Sequence, residues 1–298
     1  MRIRGPWRQA LGRFRRHPLG IAALVGLVVF VVVGALAGTI SPYYPGQEFI
    51  QFLDKPQHPF VTPHHLLGTD VLSRDFSTQL LFAIRETTVS ALVCAGGATA
   101  VGVVVGALAG YYGGVFESLL TWVTNVVVAV PAIAVLIIVS VWARFPETPM
   151  GFGLWLMALL WTSVARVVQA SVLVLRRREF VEAAYAAGAS DLRIVVRHLL
   201  PNALGAIIVA ATSVVGQAIV IVATVDYLGY GYNQPEHPTL GGLVADATAS
   251  EHLILGGQAT LGTVWWLYAF PAILLVLLLL CVTFLGDALN DALNPVTA

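Results

Sequence analysis

Apolar residues in this chain come in long blocks, separated by segments where charge, proline and glycine gather. Six such blocks stand out, at 19–40, 87–112, 116–142, 151–174, 203–225 and 265–285. Each approaches or exceeds the ~20 residues that a helix needs to cross a bilayer. In hydrocarbon a helix also satisfies its backbone hydrogen bonds without water. The pattern therefore predicts an all-α membrane protein with six transmembrane helices. The first block is longer than the apolar core of a secretory leader and lacks a convincing cleavage site, so it reads as a retained helix.

The segments between the blocks differ in kind. Residues 1–18 form a basic leader to the first helix, with six arginines and no acid. Residues 41–86 and 226–264 read as long polar loops rich in proline and glycine. Residues 176–202 are different. From Arg177 to Ala187 they contain good helix formers and no breaker, so they predict a short amphipathic helix. Gly188 follows, where a helix end most readily accepts a left-handed residue. Ser190 or Asp191 then starts a second short helix, expected to end before Pro201. A polar helix, a glycine turn and another helix between two apolar spans make a knob suited to meeting a soluble partner.

Composition narrows the class further. Hydrophobic residues make up 58% of the chain and charged residues 11%, against about a quarter charged in soluble domains. Net charge is zero, which offers no general attraction to nucleic acid. Cys94 and Cys281 both fall in apolar spans, so no disulfide framework is expected. The sole lysine, Lys55, has no glycine loop before it, and a phosphate-binding loop needs both. ATP hydrolysis by that route is thus excluded for this chain. Five histidines (His58, His64, His65, His237 and His252) lie in the two polar loops without a converging metal-ligand spacing. No nucleophile–base motif is present.

Arginine and lysine also orient the chain. With the N-terminus inside, the inner segments hold eleven (six before residue 18 and five in the knob), against Lys55, Arg74, Arg85 and Arg144 outside. Positive residues favour the cytoplasmic side, so both termini and the knob are expected in the cytoplasm. Trp265, Trp266 and Tyr268 read as an interfacial belt at the outer end of the last span. Gly102, Gly106 and Gly110 line one face of the second span and read as packing. Pro131 is placed to kink the third span. Asn125, Arg166 and Gln217 are polar positions inside spans, which are costly in lipid; they are candidate lining for a passage, with a structural hydrogen bond or snorkelling as the plainer readings.

Glu182-Ala183-Ala184, then Gly188, Ala189 and, further on, Leu200-Pro201, resembles the coupling loop of ABC importer permeases. Leu67-Gly68-Thr69-Asp70-Val71-Leu72-Ser73-Arg74-Asp75 is similar to a segment of the C-type permeases for dipeptides and oligopeptides, with Ser73 in place of the usual glycine. The tail from Leu285 to Pro295 is also similar, with Asn290 and Asn294 replacing charged residues. The segment Asp226-Tyr227-Leu228-Gly229-Tyr230-Gly231 departs from the family pattern at Asp226, and a tryptophan expected after it is missing.

The resemblance implies the type I importer permease fold: residues 1–18 a cytoplasmic segment, 19–40 the first span, 41–86 an extracytoplasmic loop, and 87–298 a permease core carrying the coupling loop 176–202. It implies that Glu182, Ala183, Ala184, Gly188, Ala189, Asp191 and Pro201 belong to the ATPase-coupling loop. No cofactor is expected in this chain, since ATP and magnesium would bind partner ATPase subunits. The implied partners are a second, B-type permease, those ATPases, an extracytoplasmic peptide-binding protein and the lipid bilayer of a bacterial inner membrane. Nickel or another small solute is the alternative cargo. An ion-gradient-driven secondary transporter and a scaffold without transport are the alternatives of other classes, the former disfavoured by the lack of an internal repeat.

Overall fold

The computed structural model describes residues 6–47, 56–61, 63–143, 148–254 and 264–293. Lys55, Arg144, Asn294 and Pro295 lie outside these, as do Arg2 and Arg4. Among the described residues the structure is helical, with only isolated bridges in the loops. A short helix α1 (Pro6–Phe14) precedes α2 (Pro18–Ala35), and one turn, α3 (Ala37–Ile40), follows it. His17 caps α2 by accepting from Gly20 N–H at 3.0 Å, with Pro18 in the first turn, where its missing N–H costs nothing.

The second span is longer than its apolar pattern. Helix α4 runs Phe76–Tyr112, so the expected loop of 41–86 ends at Asp75 and its last eleven residues are helical. Asp75 sets this start, accepting from Thr78 N–H at 2.8 Å. The polar residues that follow are buried against other elements instead of facing water: Gln79, Glu86, Thr87 and Ser90 are all buried. Tertiary partners here override the apolar pattern.

The third span is broken. Helices α5 (Gly114–Ala129) and α6 (Ala132–Ala143) meet at Val130–Pro131 with a bend of 75°. Proline lacks the N–H that would continue the ladder and clashes with the preceding turn. Helix α7 (Pro149–Leu175) carries the fourth span. After a short α8 (Glu179–Ala186), α9 (Asp191–Ile194) leads through a π turn, Val195–Leu199, into α10 (Leu200–Tyr227). Asp191 to Tyr227 is thus one 37-residue rod, and the helix expected to stop before Pro201 does not stop. The π turn is the reason: its wider ring moves the carbonyls away from the proline ring. Asn202 then donates its side-chain amide to the His198 carbonyl at 2.6 Å. Helix α11 (Leu240–Ile254) lies within the segment read as a loop, and α12 (Trp266–Leu293) completes the bundle.

Among the described residues five helices are long and apolar enough to span a membrane, and the bent pair makes a sixth. The most extensive packing joins α4 to α7. Gly102, Gly106 and Gly110 present bare backbone to α7, where an added Cβ would come closer than 3.0 Å to Val164, Ala165, Val168, Gln169 or Val172. Small residues at that spacing let backbones approach. Helix α10 then packs on α4, α7 and α12, burying Ile207, Val214, Ala218 and Val222 in a common core.

Candidate functional site

The knob is built outward from α8. Arg178, in extended conformation, precedes the helix, and Glu179 and Glu182 lie in its first turn, where carboxylates complement the helix dipole. Its end is a Schellman motif. Gly188 N–H donates to the Tyr185 carbonyl at 2.9 Å, and Ala189 N–H to the Ala184 carbonyl at 3.1 Å. Gly188 takes φ +75°, with nothing within 4 Å of where a Cβ would stand. Backbone conformation alone, not space, therefore demands glycine there.

One face of the knob is anchored and the other is free. Val181, Ile194 and Val195 are buried, and Ala184 and Ala189 pack half-buried on the same core. Glu182, Ala183 and Gly188 are exposed, with Tyr185 at 66% and Leu192 at 74% exposure. The two alanines thus divide: Ala183 faces outward and Ala184 inward. Asp191, half-buried, accepts from the Tyr111 hydroxyl at 2.8 Å. Arg176 donates to the Tyr111 carbonyl at 2.6 Å. Tyr111 stands in the last turn of α4, so two polar contacts tie the knob to the second span. The sequence reading missed Tyr111, Tyr185 and Leu192. The spacing between Tyr111 and Asp191 is too long for pattern to reveal the contact, and exposure of an apolar side chain is a tertiary fact. Pro201 lies at the root of the knob inside the rod, not at its edge.

Of the three polar positions within spans, two form a pair. Arg166 donates from Nη2 to Asn125 Oδ1 at 2.8 Å, joining α7 to α5. Gln217 is exposed on α10 and lines two neighbouring cavities.

At the other end of the bundle the loop 67–75 is tightly built. Asp70 accepts from the Leu72 and Arg74 amides at 3.0 and 2.8 Å, from Arg74 Nε at 2.7 Å and from Gln79 Nε2 at 2.9 Å. His65 Nδ1 meets Asp75 Oδ1 at 2.9 Å. Ser73, where the resembled family has glycine, takes φ +60° and is fully buried, and its hydroxyl finds no hydrogen-bond partner. The second loop is pinned to α4 as well. Tyr232 donates its hydroxyl to the Glu86 carbonyl at 2.9 Å, and Leu240 N–H donates to Thr87 Oγ1 at 3.1 Å. Asp226 accepts from Tyr232 N–H at 3.0 Å, so its departure from the family pattern has a turn-capping role. A cavity of 290 Å³ between the two loops is lined by Arg74, Asn233 and Asp246 among others. Desolvation there raises the Asp246 carboxyl above the usual carboxylate range, opposed by the Asn233 amide and the Arg74 charge. Among the described residues no cluster of His, Cys, Asp and Glu is placed to hold a metal; the His252 side chain is outside them.

Comparison with known proteins agrees with this architecture. Residues 5–67 match the N-terminal transmembrane domain of oligopeptide transport permease C. The chain is 33% identical to the oligopeptide transport system permease protein OppC of Mycobacterium tuberculosis over 284 residues, covering 95% of this chain and 92% of that one. A putative peptide transport system permease of Brucella abortus is 33% identical, covering 95% and 90%. The glutathione transport system permease GsiD of Escherichia coli is 30% identical, covering 98% and 91%. In three dimensions the fold is similar to a chain of the inward-facing MetNI methionine ABC transporter (TM-score 0.55, 22% identity, covering 72% of this chain and 96% of that one). Residues 102–297, which hold the glycine seam, the knob and the rod, match the model of binding-protein-dependent transport system inner membrane components, and this chain belongs to that family as a multi-pass inner membrane protein.

Proposed function

We propose that this chain is the C-type half of a two-permease pathway importing dipeptides or oligopeptides at the expense of ATP hydrolysed by separate subunits. The knob carries this reading: a rigid, glycine-terminated helix with an exposed outer face, anchored to α4 and continuous with α10. In this proposal both termini and the knob are cytoplasmic, and the loops at the opposite end face an extracytoplasmic peptide-binding protein. Full-length relatives named as peptide permeases support the cargo class.

Mechanically, the exposed face of α8, with Glu182 and Ala183 and flanked by Tyr185 and Leu192, seats in a cleft of the ATPase. Closure of the ATPases on ATP moves the knob, and the rod from Asp191 to Tyr227 transmits that movement across the membrane. The ATPases bind ATP and magnesium; this chain supplies no catalytic group. The test is purification of the tagged chain from its native membrane in mild detergent, with mass spectrometry and a peptide-uptake assay. Recovery of a second permease, ATPases and a peptide-binding protein, with ATP-dependent uptake, supports the reading. A homo-oligomer with uptake driven by an ion gradient overturns it.

A further inference from the structure

Helix α1 ends at Phe14 and α2 begins at Pro18, so the chain turns a corner between them. Arg13, Arg15 and Arg16 all fall in this corner, and all three are exposed. The first eighteen residues contain no acid. Among the described residues none of these three arginines forms an ion pair. Apolar side chains flank them: Leu11 and Leu19, on either side of the corner, are 53% and 56% exposed.

The depth of the corner follows from its neighbours. Helix α1 packs on α12, and a Cβ placed on Gly20 would meet both Phe14 of α1 and Ala288 of α12. His17 Nε2 lies 3.8 Å from Asp291 Oδ2. The corner is therefore level with residues 288–291, past the last apolar block, which ends at residue 285, and just ahead of the apolar α2. That is the depth of lipid headgroups, next to the hydrocarbon and outside it.

The acids of α12 near this level are engaged elsewhere. Asp291 meets His17, whose Nδ1 in turn accepts from Gly20 N–H at 3.0 Å. Asp287 lines the cavity between α10 and α12 instead. Guanidinium groups bind phosphate oxygens through paired N–H donors. Their apolar stems lie along hydrocarbon while the charged head stays at the surface.

We propose that this corner is a binding site for the phosphate headgroups of anionic phospholipid, with Arg13, Arg15 and Arg16 as the ligands and Leu11 and Leu19 resting against acyl chains. Because α1 and α2 both pack on α12, a lipid held here braces the first and last spans against each other. The proposal goes beyond peptide import and does not depend on it, since it uses only the level of the corner at the membrane surface.

The experiment uses the chain purified with its native partners, in nanodiscs of phosphatidylcholine with graded phosphatidylglycerol. Native mass spectrometry reads which lipid stays bound, and a phosphatidylglycerol carrying a diazirine near its headgroup is mapped by its label. The expected result is preferential retention of phosphatidylglycerol, label on residues 11–20, and loss of both as salt is raised. Each of Arg13→Gln, Arg15→Gln and Arg16→Gln lowers retention roughly fivefold, the effect of one arginine at an anionic surface, and the triple variant abolishes the preference. Arg15→Lys, which keeps the charge, retains most of it. The label map on the unmodified complex decides the matter even where a variant fails to assemble.

Equal retention of both lipids, label confined to other parts of the chain, or a preference unchanged in the triple variant overturns the proposal. Displacement of the label by millimolar inorganic phosphate makes this a free-anion site and also overturns it. So does cross-linking of Arg15→Cys to an ATPase or a second permease without lipid label, which makes the corner a protein contact. A complex that holds the lipid at this corner yet moves no peptide removes the importer reading and supports this one.

Discussion

The Tyr111 hydroxyl donates to the Asp191 carboxylate at 2.8 Å, joining the last turn of the second span to the first residue of the rod that carries the fifth. Arg176 adds a contact to the carbonyl of the same tyrosine. A force on the knob is thus shared between two spans and not carried by α10 alone. Tyr111→Phe removes the hydroxyl and keeps the ring. A hydrogen bond to a charged acceptor contributes about 1.5–3 kcal/mol, nearer the lower value at this partly exposed site. The expected outcome is a several-fold loss of uptake per ATP hydrolysed, at unchanged abundance in the membrane. An unaltered ratio would show that α10 transmits by itself.

Gly188 separates conformational need from packing. With open space around it, Gly188→Ala should cost about 1–2 kcal/mol through its left-handed backbone alone. Gly188→Asn should cost less, because asparagine visits that region more readily. Uptake ranked glycine above asparagine above alanine, with equal insertion, is the expected result. Parity of all three would mean that the turn is not strained by a side chain.

Ser73 pays twice for its position, in a left-handed backbone and in a buried hydroxyl without a partner. Ser73→Gly should therefore stabilise the outer loop by about 1 kcal/mol, the left-handed penalty less the added freedom of glycine when unfolded. Thermal unfolding of the purified complex, or resistance of the loop to limited proteolysis, measures it. A lower midpoint would refute this account.

Asp70 and Arg74 are each 6% exposed, and the carboxylate collects four donors. Asp70→Asn leaves a buried guanidinium without its counter-charge, which costs about 3–5 kcal/mol when a buried pair is broken from one side. Loss of the folded loop is expected, seen as rapid proteolysis between Leu67 and Phe76. A replacement tolerated at wild-type stability would mean that water reaches this pair.

Gly106 sits in the close seam between α4 and α7. A methyl group there meets the Ala165 carbonyl and Val168 of α7. Gly106→Ala should cost about 1–3 kcal/mol by overpacking, and Gly106→Leu should prevent accumulation of the protein in the membrane. Normal yield of the leucine variant would refute the close approach of α4 and α7.

The sequence by itself determined how many times the chain is apolar enough to cross a bilayer, where the knob lies and that Gly188 closes it. These follow from local properties: hydropathy summed over about twenty residues, and a backbone angle that few residues adopt. The glycine seam and the break near Pro131 were legible for the same reason. Only the tertiary structure decided the rest. Helix α4 begins at Phe76 because Gln79, Glu86, Thr87 and Ser90 find buried surroundings in distant segments, which hydropathy scores as loop. Helix α10 passes through Pro201 because a π turn makes room for the ring, and no spacing of residues announces that turn. Asn125 and Arg166, 41 positions apart, are read one at a time as isolated polar residues, and it takes the crossing of α5 and α7 to make them a pair. Tyr111 and Asp191 meet by the same cause. Contacts between residues far apart in the chain are set by how helices pack, and that geometry is not written in any single segment.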